Sequence, residues 1–419
     1  MKSLVAFVSL ALLGCAAIWA QNNGRNAGRV GDGTSTSAQQ TTDVSKSSGV
    51  VRAPSGDKTS VSRNPVINVA VEKGARWLAS VQGPDGGWGQ DGGDPSNVRQ
   101  GAALETQGND VANTAIAALA LLRAGDQYRP NVERAVDFIL RKVEASPAEG
   151  LAVTDGKQTQ VQRKLGPYID TFVASMLLAQ VDGTFARAAN ARIRSGLQKC
   201  VAKIERNQMK DGSWNVGGGW APLLGTSLAS RSLYAAQQKG VAVDRDTLAR
   251  ADDYTLKNQQ DSTARGRSVG EGSGASAGPG ASPGAVASIG GISGGVAVSS
   301  AAGVSLYQDA QALEQLSRTE ESRKKNAREI AEINSKLSDS RFVDGYGSIG
   351  GEEFFSYLNI SDGLKRSGGK AWNDWHSKIT EKILKLQNED GTWAGHHCIT
   401  GRCAVTSAAI LNLTSDRVD

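Results

Sequence analysis

The sequence predicts an all-α repeat protein of about six helical pairs arranged in two layers. Three observations support this prediction: a seven-residue phrase occurs three times, an amphipathic helical pattern precedes each copy, and a blander apolar pattern follows each copy. Apolar residues recur with a period near 3.6 and do not alternate, which favours helices over strands. Amphipathic helices suit an outer layer that faces water, and bland helices suit an inner layer that is buried on most sides.

The repeated phrase is Gln-x-x-Asp-Gly-x-Trp. Asp-Gly is a turn pair, because Gly accepts positive φ and Asp bonds to nearby backbone N–H groups. A helix that ends in Gln therefore stops sharply, and the Trp is expected to fold back as a buried structural clasp rather than to act in catalysis. The three copies comprise Gln82, Asp85, Gly86 and Trp88; Gln208, Asp211, Gly212 and Trp214; and Gln387, Asp390, Gly391 and Trp393.

These phrases, set in paired helices, resemble the repeats of the squalene cyclase and protein prenyltransferase superfamily. The resemblance covers about residues 66–261 and 300–415, and it implies an (α/α)6 toroid of about six helical hairpins around an apolar central cavity. We therefore expect the toroid to comprise residues 65–261 and 305–419. Between them, residues 262–304 are rich in Gly, Ser and Ala, so they are expected to be a low-complexity insertion without a core.

The first residues have the form of an export signal, expected to span residues 1–20, because a short apolar stretch contains no acidic residue. A Leu-Leu-Gly-Cys sequence that ends at Cys15 resembles a lipobox and would leave Cys15 lipidated, whereas cleavage after Ala20 would release a soluble protein. Residues 21–64 are expected to be a disordered linker. The protein is thus expected to be periplasmic, secreted or lipid-anchored to the cell envelope, with membrane contact only through Cys15.

Charge and loop composition exclude two classes of partner. The formal net charge is only +5, and basic residues cluster only in short runs such as Arg323–Lys325, so no nucleic-acid interface is expected. The Gly-rich loops, for example Gly217–Gly219, lack a strand–loop–helix phosphate motif. We therefore expect neither nucleic acid nor a nucleotide as a partner, and no cofactor.

The stretch after the third phrase holds the only cluster of potential metal ligands: His396, His397, Cys398 and Cys403. Adjacent ligands rarely converge on one ion, so a zinc site here is only a weak candidate. A local disulfide between Cys398 and Cys403 is the alternative in an oxidising compartment. This loop leads into the last inner helix of the toroid, so His397 and Cys398 are expected at the mouth of the cavity as candidate functional residues.

Polar residues also stand where other inner helices begin: Asp110, Tyr168, Asp170 and Thr226. N-capping and the helix dipole account for residues of this kind at helix starts. The alternative is a polar ring at one end of the cavity that binds a sugar or a lipid head group. On that interpretation Asp110, Asp170, Thr226, His397 and Cys398 contact ligand, and Asp170, Tyr168 and His397 are the candidates for catalysis.

The resemblance brings activities that this sequence does not support. The cyclases protonate an alkene with an Asp-x-Asp-Asp acid, and the prenyltransferases hold zinc with Asp-x-Cys and a distant His, but neither motif occurs here. The chain also has only 8 Trp, 7 Tyr and 7 Phe to line a cavity that would stabilise carbocations. We therefore expect a non-catalytic exported protein that binds an apolar, isoprenoid- or lipid-like molecule or an envelope protein. The alternative is a divergent terpenoid cyclase or transferase, or a polysaccharide lyase, on the same toroid.

Overall fold

The computed structural model describes residues 64–92, 108–154, 159–166, 168–214, 222–270, 302–344 and 349–417. The expected export signal, the expected linker up to residue 63 and most of the 262–304 insertion lie outside these described residues. Within them the chain is all-α, as predicted, and forms no β-strand. None of the described helices is both long enough and apolar enough to cross a membrane.

The described residues form fifteen α-helices, in this order along the chain. They are α1 (Pro65–Ser80), α2 (Val111–Ala124), α3 (Arg129–Ala145), α4 (Gln160–Leu165), α5 (Ile169–Val181), α6 (Arg187–Arg206), α7 (Pro222–Gln238), α8 (Arg245–Gly270), α9 (Ala302–Leu316), α10 (Glu320–Lys325), α11 (Ala327–Lys336), α12 (Ser340–Val343), α13 (Gly351–Ser367), α14 (Gly369–Lys385) and α15 (Arg402–Leu413).

The helices form two concentric layers, which confirms the predicted all-α toroid. The inner helices α2, α5, α7, α9, α13 and α15 pack side by side in chain order, and α15 packs against α2, so the ring closes. The outer helices α1, α3, α6, α8 and α14 each lie against two neighbouring inner helices. Between α9 and α13 the outer layer consists of the three short helices α10, α11 and α12.

The inner layer is packed through small residues rather than built around a wide hole. Helix α15 is buried on every face from Cys403 to Leu413, and α2 is buried nearly as completely. Ala, Ser and Thr predominate in both helices, so neighbouring backbones can approach closely. The middle of these two helices therefore exposes almost no surface to the ring axis, and two of the cavities in the described part of the chain lie at the ends of the inner helices.

The repeated phrase ends three of the outer helices in the same way. Its Gly has positive φ in each copy, at 91°, 90° and 88° for Gly86, Gly212 and Gly391. The Asp of each phrase accepts a bond of 3.0 Å from the backbone N–H two residues later. Both observations follow from the turn chemistry of Asp-Gly.

Helix α8 continues to Gly270 and so extends past residue 261, where the first part of the toroid was expected to end. The sequence explains the difference, because no Gly or Pro stands between Gln260 and Gly266 to break the helix. The start of the predicted insertion is therefore helical. Helix α9 likewise begins at Ala302, before the predicted boundary at residue 305.

Candidate functional site

The clasps fix where the inner helices begin. Each phrase Trp is buried, and its indole Nε1 donates to a carbonyl in the outer helix that precedes it. The bonds run from Trp88 to Leu78 at 2.8 Å, from Trp214 to Ile204 at 2.7 Å, and from Trp393 to Ile383 at 2.7 Å. The backbone N–H of each Trp donates to a Thr hydroxyl near the start of the next inner helix. These bonds run from Trp88 to Thr114 at 2.9 Å, from Trp214 to Thr226 at 3.2 Å, and from Trp393 to Thr406 at 3.0 Å.

Thr226 therefore belongs to a clasp rather than to a ligand site. It is fully buried, and its hydroxyl accepts the Trp214 N–H. The sequence analysis placed it in a polar ring because it opens an inner helix, but its position relative to Trp214 gives it a structural partner. Thr114 and Thr406 hold the same position in the other two clasps.

Three of the predicted residues share one cavity. We define the N-terminal mouth as the end of the ring where the inner helices begin. A cavity of about 790 Å³ opens there, between the starts of α2 and α5 and the loop that follows α3. Asp110, Tyr168 and Asp170 all line it. The structure thus brings together two carboxylates and a phenol from two neighbouring inner helices.

Asp170 is the deepest polar group of this cavity. It is 2% exposed, and its Oδ2 accepts bonds of 2.7 Å from Thr154 Oγ1 and 2.7 Å from Gln162 Nε2. Its Oδ1 is buried and has no hydrogen-bond partner among the described residues. Burial raises the pKa of Asp170, although the bonds from Thr154 and Gln162 oppose this shift.

Asp110 caps α2 at the edge of the same cavity. It accepts the Asn113 backbone N–H at 2.8 Å and the Asn113 side-chain amide at 2.8 Å. Burial, and then repulsion from Asp170, raise the pKa of Asp110 to about 7. Because the two carboxyls interact, they titrate as a pair, and with a pKa of about 7 Asp110 is partly protonated near neutral pH. Such a pair can both donate and accept hydrogen bonds, and it can also exchange protons with a substrate near pH 7.

Helix α4 lies across the N-terminal mouth. The Thr159 N–H donates to Gln162 Oε1 at 2.6 Å, which fixes the start of the helix. Gln160 accepts the Thr400 N–H at 2.8 Å, and its own N–H donates to Gln90 Oε1 at 3.0 Å. The helix is thus tied to the loops that precede α2 and α15, and it carries Gln162 to Asp170.

A second group of polar residues lies under the loop before α15. The side-chain donor atoms of Glu352, His397 and Cys398 all lie within 4.8 Å of one another. Glu352 is fully buried, its Oε2 accepts the Ile399 N–H at 3.2 Å, and its Oε1 has no hydrogen-bond partner in the described part of the chain. Burial raises the pKa of Glu352 and raises that of the Cys398 thiol to about 11. Carboxylate, imidazole and thiolate are all zinc ligands, so these three residues are the ones that could hold a metal ion.

Only two of the four ligands suggested by the sequence meet in this group. His396 is exposed, whereas Cys403 is buried with its Sγ 3.9 Å from the Asn113 carbonyl oxygen. The predicted disulfide between Cys398 and Cys403 is wrong, because both are free thiols. Cys398 lies in the loop beside Glu352, whereas Cys403 lies in the first turn of α15 and packs against α2. The two side chains therefore have different neighbours.

Sequence reasoning missed Glu352 and Glu353. Both are buried in the first turn of α13, where Glu353 Oε2 accepts the Gly350 N–H at 2.8 Å and Oε1 accepts the Tyr307 hydroxyl at 2.9 Å. His397 Nε2 lies 3.7 Å from Glu353 Oε1. The available signal was positional, since these residues open an inner helix as Asp110 and Asp170 do.

Comparisons with known proteins agree with the repeats and the fold. Residues 58–150 match the squalene-hopene cyclase C-terminal domain. A squalene–hopene cyclase from Bradyrhizobium diazoefficiens is 39% identical over 70 residues, which are 17% of this chain and 10% of that enzyme. The resemblance to the squalene cyclase and terpenoid cyclase-like superfamily is therefore confirmed. The class defined by fold and repeats is an all-α toroid with squalene cyclase-like repeats.

The similarity to these cyclases is limited in extent. The matched segment spans about a tenth of the length of the curated relative. A solved structure of a type II terpene cyclase from Scytonema, in complex with its substrate geranylgeranyl dihydroxybenzoate, is 13% identical with a TM-score of 0.32. That alignment covers 84% of this chain and 97% of the other.

Proposed function

We propose that this protein is an exported, non-catalytic toroid that binds a small lipid- or isoprenoid-like molecule at its N-terminal mouth. An envelope protein that contacts the same rim is the second candidate partner. The observation that carries the proposal is the cavity of about 790 Å³ lined by Asp170, whose buried Oδ1 has no hydrogen-bond partner among the described residues. A buried acceptor without a partner is costly, and a bound head group would satisfy it.

The walls of the cavity suit an amphipathic molecule. Val111, Leu151 and Val153 line the same space as Asp110 and Asp170 and offer apolar surface. Because the carboxyl pair has a raised pKa, it retains protons near pH 7 and favours an uncharged hydroxyl or amide head group over an anion. A cavity of this size is within the range that holds small molecules, roughly 300–1,000 Å³.

The chemistry of the carboxyl pair argues against a cyclase. Protonation of an alkene needs a strong acid, whereas burial raises the pKa of Asp110 to about 7 and makes it a weak acid. Carbocations also need aromatic faces around them. Among the described residues, Tyr168 is the only aromatic one in the lining of this cavity.

One observation favours an enzyme as the alternative. A carboxyl with a pKa of about 7 is well matched to general acid–base catalysis at neutral pH. A divergent lyase or transferase would use Asp170 and Asp110 in this way, with Tyr168 beside them. Turnover of squalene-like or anionic polysaccharide substrates, lost in Asp170→Asn, would establish this alternative and overturn the binding proposal.

The direct test is to purify the exported protein, extract it with organic solvent and analyse the extract by mass spectrometry. We expect a lipid or isoprenoid to be released from the wild type and from Asp126→Asn, a control at an exposed position. Asp170→Leu should release much less of it, because the head group loses its partner. The mass of the purified chain also distinguishes cleavage after Ala20 from lipidation at Cys15.

A further inference from the structure

A second cavity, of about 500 Å³, opens at the opposite end of the ring. We define the C-terminal mouth as the end where the inner helices finish. Residues of five inner helices line this cavity. The sixth inner helix, α9, contributes through Arg318, which lies just beyond its end. The site is therefore separate from the cavity that holds Asp110 and Asp170.

The C-terminal mouth is strongly cationic. Two carboxylates lie there, Asp362 in the lining and Glu314 buried beside Arg318 and Arg366. Against them stand six cationic side chains, so positive charges exceed negative ones by four. The six are Arg123, Arg231, Lys239, Arg318, Lys365 and Arg366.

The two carboxylates hold three of the guanidinium groups in place. Glu314 is fully buried and accepts bonds from Arg318 at 3.2 and 2.7 Å and from Arg366 at 3.0 Å. Asp362 pairs with Arg231. Arrangements of this kind preorganise N–H donors, because each Arg keeps further donors after one carboxylate has been bound.

Two cations in this cavity, Arg123 and Lys239, have no carboxylate partner among the residues that the structure describes. Within the described part of the chain neither Arg123 nor Lys239 forms an ion pair, and Arg123 donates to the Leu411 carbonyl at 3.3 Å. Burial lowers the pKa of Arg123 and the nearby Arg231 lowers it further, while Asp362 opposes the shift. A half-buried guanidinium beside a second guanidinium would be stabilised by an added anion.

Cations at the ends of helices complement the helix dipole, and this accounts for a basic residue near any one of these ends. It does not account for a cavity in which those cations face apolar walls. Leu119, Met176 and Leu358 line the same space as the guanidinium groups. A cationic rim above an apolar wall matches a molecule with an anionic head and an apolar chain.

We propose that the C-terminal mouth binds an amphiphilic organic anion. Its phosphate or carboxylate head lies against Arg123, Arg231 and Arg318, and its apolar chain packs on Leu119 and Met176. The planar fork of Arg suits both head groups, because it can donate two parallel N–H bonds to either. This site is independent of the function proposed for the N-terminal mouth.

Isothermal titration calorimetry of the full chain with octyl phosphate, octanoate and octanol tests this proposal. Octyl phosphate, octanoate or both should bind, and octanol should bind at least tenfold more weakly. Added salt should lower the affinity for the anion but not the affinity for the alcohol. Binding by one head group alone would assign the site to that group. Equal binding of anion and alcohol, or no binding of either anion by the folded protein, would overturn the proposal.

Variants locate the site. Arg123→Gln and Lys239→Gln remove cations that hold no ion pair with any described residue, so the fold should tolerate them. Each substitution should lower the affinity for the anion about tenfold, as expected for the loss of one charge-assisted contact. Arg328→Gln, at an exposed position on α11, should leave the affinity unchanged. Unchanged affinity in both mouth variants, with wild-type circular dichroism, would contradict the assignment.

Discussion

The Gln387 side-chain amide donates a hydrogen bond of 2.9 Å to the Ala70 carbonyl and so joins the last outer helix, α14, to the first, α1. The same amide donates to the Gly391 carbonyl at 2.9 Å, which holds the turn of its own phrase. Gln82 and Gln208 make the equivalent pairs of bonds, reaching Asn131 in α3 and Thr247 in α8. The repeated Gln therefore links successive outer helices, and the third copy closes the ring.

Replacing this amide should destabilise the toroid. In Gln387→Ala the carbonyls of Ala70 and Gly391 lose their donor, and we expect a loss of about 1–3 kcal/mol in the free energy of unfolding. Urea denaturation followed by circular dichroism measures it. Gln127→Ala is the control, because its amide is exposed and bonds to the exposed Glu72 at 3.3 Å, and it should change stability by less than about 0.5 kcal/mol. Equal effects of the two substitutions would contradict the proposed ring closure.

The phrase Gly is required for close approach as well as for its backbone angle. A Cβ on Gly86 would lie 2.5 Å from the Arg134 carbonyl oxygen, whereas a Cβ on Gly183, with nearly the same positive φ of 85°, would meet nothing within 4 Å. Both Ala variants bear the cost of the left-handed backbone, about 1 kcal/mol. We expect Gly86→Ala to lower the melting temperature clearly more than Gly183→Ala does. If the two variants had similar melting temperatures, the close contact between Gly86 and α3 would not add to the requirement for Gly at this position.

The carboxyl pair of the N-terminal mouth should make stability fall as pH rises. The folded pKa of Asp110, about 7, lies above its ordinary value of 3.8, so the folded state binds more protons between these values. Stability from this group is therefore fully present below about pH 4 and is lost as pH rises through 7. Asp110→Asn keeps a competent N-cap but does not titrate. We expect the urea midpoint of Asp110→Asn to rise relative to that of the wild type between pH 4.5 and pH 8. If the difference between the two midpoints stayed constant over this range, the raised pKa of Asp110 would be contradicted.

Much of the fold was predictable because its signals are local. Each phrase contains its own turn, and the Trp88 side chain bonds to a residue only ten positions earlier in the chain. The N-terminal mouth was partly predictable for the same reason, since Asp110 and Asp170 both stand at helix starts. The pairing of Glu352 with Cys398 was not predictable, because it depends on how the loop before α15 folds over α13.

The C-terminal mouth shows why dispersed sites escape sequence reasoning. Arg123, Arg231, Arg318 and Arg366 lie on four different repeats, and each resembles an ordinary charge near a helix end. Closure of the ring alone brings them to one cavity. The long-range contacts that assemble the ring carry this information, and the spacing of residues within any one helix does not.

Glu314 provides the last prediction, because it is the buried centre of this cationic group. It is fully buried, and Arg318 and Arg366 both donate to it. Although burial is the largest influence and acts to raise its pKa, the attraction of Arg318, Arg366 and Arg231 prevails and holds that pKa well below its ordinary value of 4.5. The ion pairs therefore add stability above pH 4.5, and that stability is lost as pH falls below it.

Glu314→Gln should consequently cost about 3–5 kcal/mol near pH 7, because it leaves the buried Arg318 guanidinium and the part-buried Arg366 guanidinium without their carboxylate. The cost should shrink toward pH 3, because below pH 4.5 the unfolded wild-type chain takes up a proton at Glu314 while the folded protein keeps the charge. Glu320→Gln breaks an exposed pair with Lys324 on the next helix and should cost less than about 1 kcal/mol. Urea midpoints of both variants at pH 7 and pH 3.5 distinguish the buried ion pairs of Glu314 from the exposed ion pair of Glu320. If Glu314→Gln were as mild as Glu320→Gln at pH 7, Glu314 would not be the group that holds these arginines in place.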